Sequence, residues 1–238
     1  MQTSFSNQPA PKVEMPSVAC QWQKGKLLGS GTFGCVYEAS NRNTGALCAM
    51  KEVNIIPDDA KSVESLKQLE QEIKFLSQFK HENIVQYYGS DTIEDRFYIY
   101  LEYVHPGSIN KYVKQHFGAI TESVVRNFTR HILRGLAFLH GQKIMHRDIK
   151  GANLLVDISG VVKLADFGMA KHLSTAAPNN SLKGTPYWMA PERNPAERPT
   201  ASELLEHPFI RNSTHYNKHG SIHAFAGIKV HRQTILEE

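Results

Sequence analysis

Hydrophobic positions along the 238-residue chain change period several times, and the changes divide it into regions. Residues 1–21 are rich in Pro, Ser and Gln and poor in large apolar side chains, the pattern of a flexible lead-in. From Trp22 the pattern becomes strand-like. Runs at Lys26–Leu28, Cys35–Ala39 and Ala46–Val53 are split by "GSGTFG" and by the turn signal "NRNTG", which predicts an antiparallel start.

Residues 60–79 then place Val63, Leu66, Leu69, Ile73, Leu76 and Phe79 at steps of three and four, predicting an amphipathic helix opened by Asp58 and Asp59, with Glu72 beside the stripe. "RFYIYLEYV" (96–104) reads as a strand, and residues 122–140 as a long helix with a broad apolar face and Thr121 as its N-cap. "LLV" and "VVKL" read as short strands. Thr200 and Glu203 have capping-box spacing ahead of a short helix that Pro208 ends. Strands precede helices, which predicts an α+β chain with a small β-rich lobe followed by a helical lobe. The tail, 212–238, shows no period. Residues 188–200, "WMAPERNPAERPT", form a charged, proline-rich connection.

Composition narrows the function classes. With 41% hydrophobic residues the chain is long and apolar enough for a sizeable core. Its net charge of +4 comes from 27 basic and 23 acidic residues spread along its length, without the dense basic run of a nucleic-acid footprint. Cys20, Cys35 and Cys48 lack CxxC spacing, so neither a disulfide framework nor a zinc site is indicated. A reducing compartment fits, the cytoplasm first and the nucleus second. No run of 18 apolar residues and no signal-peptide pattern occurs. His215, His219 and His223 are four apart, but Gly220 interrupts them among polar residues, which favours a tail over a metal cluster.

Gly29, Gly31 and Gly34 match GxGxxG, a pattern that ordinary turns also produce. A dinucleotide site needs a helix directly after the glycines. Here "CVYEA" follows, so the glycines cap a hairpin whose amides can fold over phosphates. Lys51 on the next strand supplies a cation, and Glu72 is its natural partner, since an opposite charge within about 4–6 Å keeps an ammonium charged and aimed. "HRDIKGANLL" (146–155) and "LADFGMA" (164–170) add two aspartates and an asparagine: hard oxygen ligands suited to Mg²⁺, and one carboxylate free to act as a base. Each piece alone also suits a surface turn. Together and in this order they point to phosphoryl transfer.

Leu28–Val36, Lys51, Glu72, "HRDIKGAN", "DFG" and "GTPYWMAPE" resemble the eukaryotic protein kinases. "PGSINKYV" and "GTPYWMAPE" resemble the MEKK-type mitogen-activated protein kinase kinase kinases, above all the plant-type members. The resemblance runs from Trp22 to about Arg211 and implies a two-lobed fold, with an N-lobe over about 22–104 carrying one long helix and a helical C-lobe over about 105–211. It implies ATP and Mg²⁺ as cofactors and, as partner, a downstream MAP kinase kinase phosphorylated on Ser or Thr.

Carried over by motif, Gly29, Ser30, Gly31, Thr32, Phe33, Gly34 and Cys35 form the loop over the ATP phosphates, and Leu28, Val36 and Ala49 enclose the adenine. Leu101 backs the adenine pocket, and Glu102–Val104 form the hinge. Lys51 holds phosphates and Glu72 holds Lys51. Asp148 accepts the hydroxyl proton, Lys150 stabilises the transferring group, and Asn153 and Asp166 ligate Mg²⁺. Lys150 in "HRDIK" implies a Ser or Thr acceptor. Ser174, Thr175, Ser181 and Thr185 are the hydroxyls of the activation segment. Arg147 is placed to pair with a phosphate on Ser181, the foremost regulatory site, and Thr185 is grouped there with a more structural role.

In that family several helices follow the "APE" motif. Here "APE" (190–192) runs directly into a segment resembling the family's last conserved one, so the sequence predicts an internal deletion at 192/193 and a C-lobe lacking several helices. Glu192 and Arg198 remain near enough in sequence to pair across the join. Loss of a central helix is expected to leave the apolar face of the 122–140 helix partly uncovered. The alternative reading is a catalytically impaired decoy that binds ATP or partners.

Overall fold

In a computed structural model the described residues are 21–31, 34–55, 69–70, 73, 77–115, 120–168, 170–172, 185–189 and 194–211. Thr32, Phe33, Glu72, Ser174, Thr175, Ser181 and Glu192 lie outside them, as do residues 1–20 of the lead-in and the tail. Strands β1 (Trp22–Gly31), β2 (Gly34–Asn41), β3 (Leu47–Asn54), β4 (Tyr87–Ile93) and β5 (Arg96–Glu102) form one antiparallel sheet in the order β1-β2-β3-β5-β4. "NRNTG" closes β2 onto β3 because the Asn41 side chain accepts from the backbone N–H groups of Asn43 and Thr44, an Asx turn.

Alternation along β5 covers both faces of the sheet. Phe97 and Ile99 pack with Leu69 and Ile73, two helical members of the stripe predicted at 60–79. Tyr100 points the other way, onto Ala39, Cys48 and Met50, and stacks on Trp22 at 5.9 Å. Buried Glu52 ties three strands together: its carboxylate meets Lys24 of β1 at 2.6 Å and Arg96 of β5 at 3.1 Å.

β6 (Gly107–Ser108) leads into α1 (Ile109–Gln115), and α2 (Glu122–Gly141) follows. Thr121 caps α2 as expected, its side chain accepting from the Val124 N–H. The remaining strands are short: β7 (Ile144–Met145), β8 (Leu154–Val156), β9 (Val162–Leu164) and β10 (Lys171–His172). β8 joins β6 and β9, and β7 pairs with β10, so the 146–153 and 165–170 connections leave neighbouring strands side by side. Beneath them, Phe128 and Leu139 of α2 pack with Ile84, Ile144, Leu154, Val156, Val162, Leu164 and Phe167.

α3 (Ala201–Leu205) carries the full predicted capping box, with Thr200 and Glu203 exchanging hydrogen bonds. Its segment explains a departure from expectation on α2. Ala201, Leu204, Leu205, Phe209 and Ile210 pack against Leu133, Leu136 and Ala137, so Val125, at 38%, is the large apolar residue of α2 left exposed. The exposed aromatics lie elsewhere, at Tyr88 on β4 and at Tyr187 and Trp188 in a single 3-10 turn.

Candidate active site

The site assembles where the two connections meet. Asp148 is buried, and both oxygens of its carboxylate are engaged. Oδ1 accepts from the Thr185 hydroxyl at 2.7 Å; Oδ2 accepts from Asn153 Nδ2 at 2.8 Å and faces Lys150 Nζ at 2.9 Å. Lys150 Nζ also donates to the Thr185 hydroxyl at 3.2 Å. Burial pushes the Asp148 carboxyl up, but hydrogen bonds from Lys150 and Thr185, the Lys150 charge and the bond from Asn153 outweigh it and hold the group below its ordinary range. Asp148 is therefore an ionised acceptor already fixed in direction.

His146 positions this loop. Its Nδ1 lies 3.4 Å from the Asp148 N–H and its Nε2 3.1 Å from the Ala165 carbonyl oxygen, an arrangement that fits a neutral ring with the proton on Nε2. The ring sits 4.8 Å from that of buried Phe167. A backbone bond from the Ala165 N–H to the Asn153 carbonyl, 2.9 Å, links the two connections a second time. Arg147 and Asp166 hold left-handed backbone at φ 65° and 62°, uncommon for residues with a Cβ, and they flank the site on both connections.

Lys51 reaches into the site from β3. It is buried, and its Nζ lies 3.4 Å from Asp166 Oδ1. Register on the sheet sets Val36 beside Lys51 and Ala49 beside Leu101, so these four side chains occupy adjoining rows. Leu28 on β1 is 42% exposed and Val104 is buried. The Glu102 side chain is turned to structural work: it accepts from the Gln86 N–H at 3.1 Å and pairs with Lys163 at 2.9 Å, while its own N–H donates to the Gln86 carbonyl. A Cβ built on Gly29 or Gly31 would meet no described residue within 4 Å, so among the described residues space is open above both.

The donor set suits Mg²⁺. Asn153 uses its amide nitrogen on Asp148, which leaves its oxygen available to a cation, and the Asp166 carboxylate on the second connection is 40% exposed.

The profile described as "Protein kinase domain" matches residues 22–194. The chain belongs to the protein kinase family. Mitogen-activated protein kinase kinase kinase 5 of Arabidopsis thaliana is 52% identical over 288 residues, covering 89% of this chain and 40% of the relative. The Arabidopsis kinase kinase kinase YODA is 42% identical over 278 residues, 88% of the chain and 31% of its own length. Human mitogen-activated protein kinase kinase kinase 3 is 46% identical over 183 residues, 74% of the chain and 29% of its own. The chain thus spans less than half the length of these curated relatives. No described helix is long and apolar enough to cross a membrane.

Within this kinase domain, Lys51, Asp148, Lys150, Asn153 and Asp166 come together from segments up to 115 positions apart. Thr185, grouped from sequence with the regulatory hydroxyls, lies on Asp148 itself. His146 received no role from sequence, although its place directly before Arg147 and Asp148 was the available signal. The structure also shows Asn83, whose backbone carbonyl accepts from the Leu164 N–H at 2.9 Å and whose Nδ2 donates to the Val162 carbonyl at 3.0 Å, steadying the strand before Asp166.

The histidines give the domain a pH signature. Burial holds His81, His131, His140 and His146 below the ordinary 6.5. His131 Nδ1 accepts from the Val162 N–H at 3.2 Å, a bond that protonation would break. These rings are neutral when folded and take up protons on unfolding. Their stabilising contribution is therefore complete above the unfolded value and is lost as pH falls through 6.5 toward the lower folded values. Thermal melts are expected to show Tm falling between about pH 7.5 and 5.5, with a shallower fall for His131→Gln. A Tm that is flat across this window would contradict the assignment.

Proposed function

We propose that this chain is the phosphotransfer module of a mitogen-activated protein kinase kinase kinase, moving the γ-phosphate of ATP to a Ser or Thr hydroxyl of a MAP kinase kinase. The observation that carries the reading is the Asp148 cluster: an ionised carboxylate held by Thr185, Asn153 and Lys150, on a connection adjoining the one that presents Asp166 to Lys51.

In this reading the open space above Gly29 and Gly31 admits the phosphates to the backbone, and Lys51 binds them through its charge. Asn153 and Asp166 would hold Mg²⁺, which would supply neutralisation of the triphosphate charge. The acceptor oxygen bonds to the γ-phosphorus, the bond to the β–γ bridging oxygen breaks, ADP leaves, and the hydroxyl proton passes to Asp148. Lys150, already at Asp148, meets the negative charge on the phosphoryl group as it moves. Burial of Lys51 and Asp148 strengthens these charge interactions relative to water.

The test is a titration of the 238-residue chain with Mg·ATP, followed by incubation with an inactive MAP kinase kinase. Saturable thermal stabilisation and label on Ser or Thr are expected. Absence of both, or label confined to Tyr, overturns the reading.

A further inference from the structure

A cavity of about 390 Å³ opens where the first turns of α2 pass α1 and the turn between β8 and β9. Among the described residues, Tyr112 and Val124 give it apolar wall, Asn127 an amide, Arg126 and Arg130 two guanidinium groups, and Gly160 a piece of the turn. Two residues before Gly160, Ile158 is 85% exposed, so the turn carries apolar surface of its own.

Positive charge here is not balanced locally. A four-residue step keeps Arg126, Arg130 and Arg134 on one face of α2, whose single acid, Glu122, is already paired with Arg126. Arg130 donates to the Asn127 side-chain oxygen at 3.3 Å and to the Ile210 carbonyl, both neutral, and among the described residues no carboxylate pairs with it. Asp157 in the turn uses an oxygen on the N–H groups of Ser159 and Val161. A guanidinium beside an apolar wall selects a ligand that offers a carboxylate next to aliphatic carbon.

The chain itself carries such a ligand. Phe209 lies 5.3 Å from the Arg126 guanidinium carbon and the Ile210 carbonyl accepts from Arg130, so the tail departs beside both cations. Residues 212–238, outside the described residues, contain two acids, Glu237 and Glu238, and these directly follow the aliphatic pair Ile235–Leu236. Reach is not limiting, because the 23 residues 212–234 span up to about 75 Å when extended. Tethering also holds the segment at a local concentration of about 1 mM, so a contact with a Kd of about 0.1 mM fills the cavity about nine-tenths of the time.

We infer that Ile235–Glu238 docks in the cavity between α1 and α2 of the same chain, its aliphatic pair on Tyr112 and Val124 and its carboxylates on Arg126 and Arg130. An acidic segment of another protein offers the same groups but lacks the tether. The inference uses no part of the phosphotransfer reading, so either survives failure of the other.

The test is fluorescence anisotropy of a labelled peptide of residues 230–238, titrated with the full 238-residue chain and with the full chain carrying Glu237→Lys and Glu238→Lys. The tail variant is expected to bind the peptide saturably, and the parent about tenfold more weakly because its own tail competes. Peptides carrying Glu237→Lys with Glu238→Lys, or Ile235→Ser with Leu236→Ser, should bind the tail variant at least tenfold more weakly, and these arms leave the protein untouched. Arg126→Glu with Arg130→Glu should lose the parent peptide and gain the lysine one; if that protein melts early, the peptide arms decide. Equal binding by parent and tail variant, binding indifferent to the peptide substitutions, or competition that grows with protein concentration through self-association overturns the proposal. So does an unrelated acidic peptide that binds parent and tail variant alike, which would make the cavity a site for a partner in trans.

Discussion

Asp148→Asn is expected to lower phosphate transfer by about 10³-fold while the KM for ATP stays unchanged. In the proposed reaction the carboxylate takes the proton, and an amide cannot take it at neutral pH. Geometry adds a second consequence. Asp148 Oδ1 accepts from Thr185, and Oδ2 accepts from Asn153 and lies against Lys150. An amide NH₂ on the Oδ2 side would face two donors. On the Oδ1 side it would turn the Thr185 hydroxyl round and leave its proton without that acceptor. Either way one buried donor goes unsatisfied, a loss of about 1–3 kcal/mol.

Steady-state assays and melts on the same preparation separate the two effects. Thr185→Val keeps the carboxylate and removes one donor, so it should share part of the stability loss and retain far more activity than Asp148→Asn. A variant Asp148→Asn within tenfold of the parent rate would show that Asp148 is not the proton acceptor.

How much of this was readable in advance differs between fold and site. β1, β2, β3, β5 and α2 announce themselves because each has a sustained period and a cap or turn at its end. β4 does not: Gly89, Ser90 and Asp91 are poor strand formers, and the strand exists because β5 offers an edge across the two-residue turn Glu94–Asp95. β5 itself ends at Glu102, two residues before the predicted boundary, where the Glu102 N–H leaves the ladder for Gln86. α1 has seven residues, so its short stripe of Ile109, Tyr112 and Val113 spans too few turns to read, although Ile109 and Tyr112 pack against the core. Residue types in "HRDIKGAN" and "DFG" identify the chemistry, because carboxylates, an amide and lysines in that order have few other uses. Their contacts depend on tertiary closure. Sequence spacing pairs Lys51 with Glu72, which lies outside the described residues, and gives no sign of the 3.4 Å contact from Lys51 to Asp166. Thr185 likewise reads as one hydroxyl among several until folding brings it 37 positions back onto Asp148.

Gly34→Ala is expected to destabilise the domain by about 3 kcal/mol, lowering Tm by about 6–12 °C for a chain of this size. GxGxxG treats its three glycines alike, and the structure does not. Gly34 holds φ 112°, and a Cβ there would lie 2.1 Å from the Glu52 carbonyl oxygen. That oxygen belongs to β3 at the register where Cys35 opposes Glu52, so the clash can be relieved only by separating β2 from β3. The buried Glu52 carboxylate, which draws in Lys24 and Arg96, would be disturbed with it. Gly29 and Gly31 face open space, and alanine at either should leave Tm near that of the parent while raising the KM for ATP, because the added methyl then occupies room that the proposed function gives to phosphate. Melts of the three variants without nucleotide, set against their ATP titrations, test the division. Equal Tm values for Gly34→Ala and Gly31→Ala would contradict it. The contrast matters because only Gly34 is demanded by the sheet itself. At 29 and 31 no described residue demands glycine in this way, which is what a nucleotide close above the backbone, as proposed, would require of them.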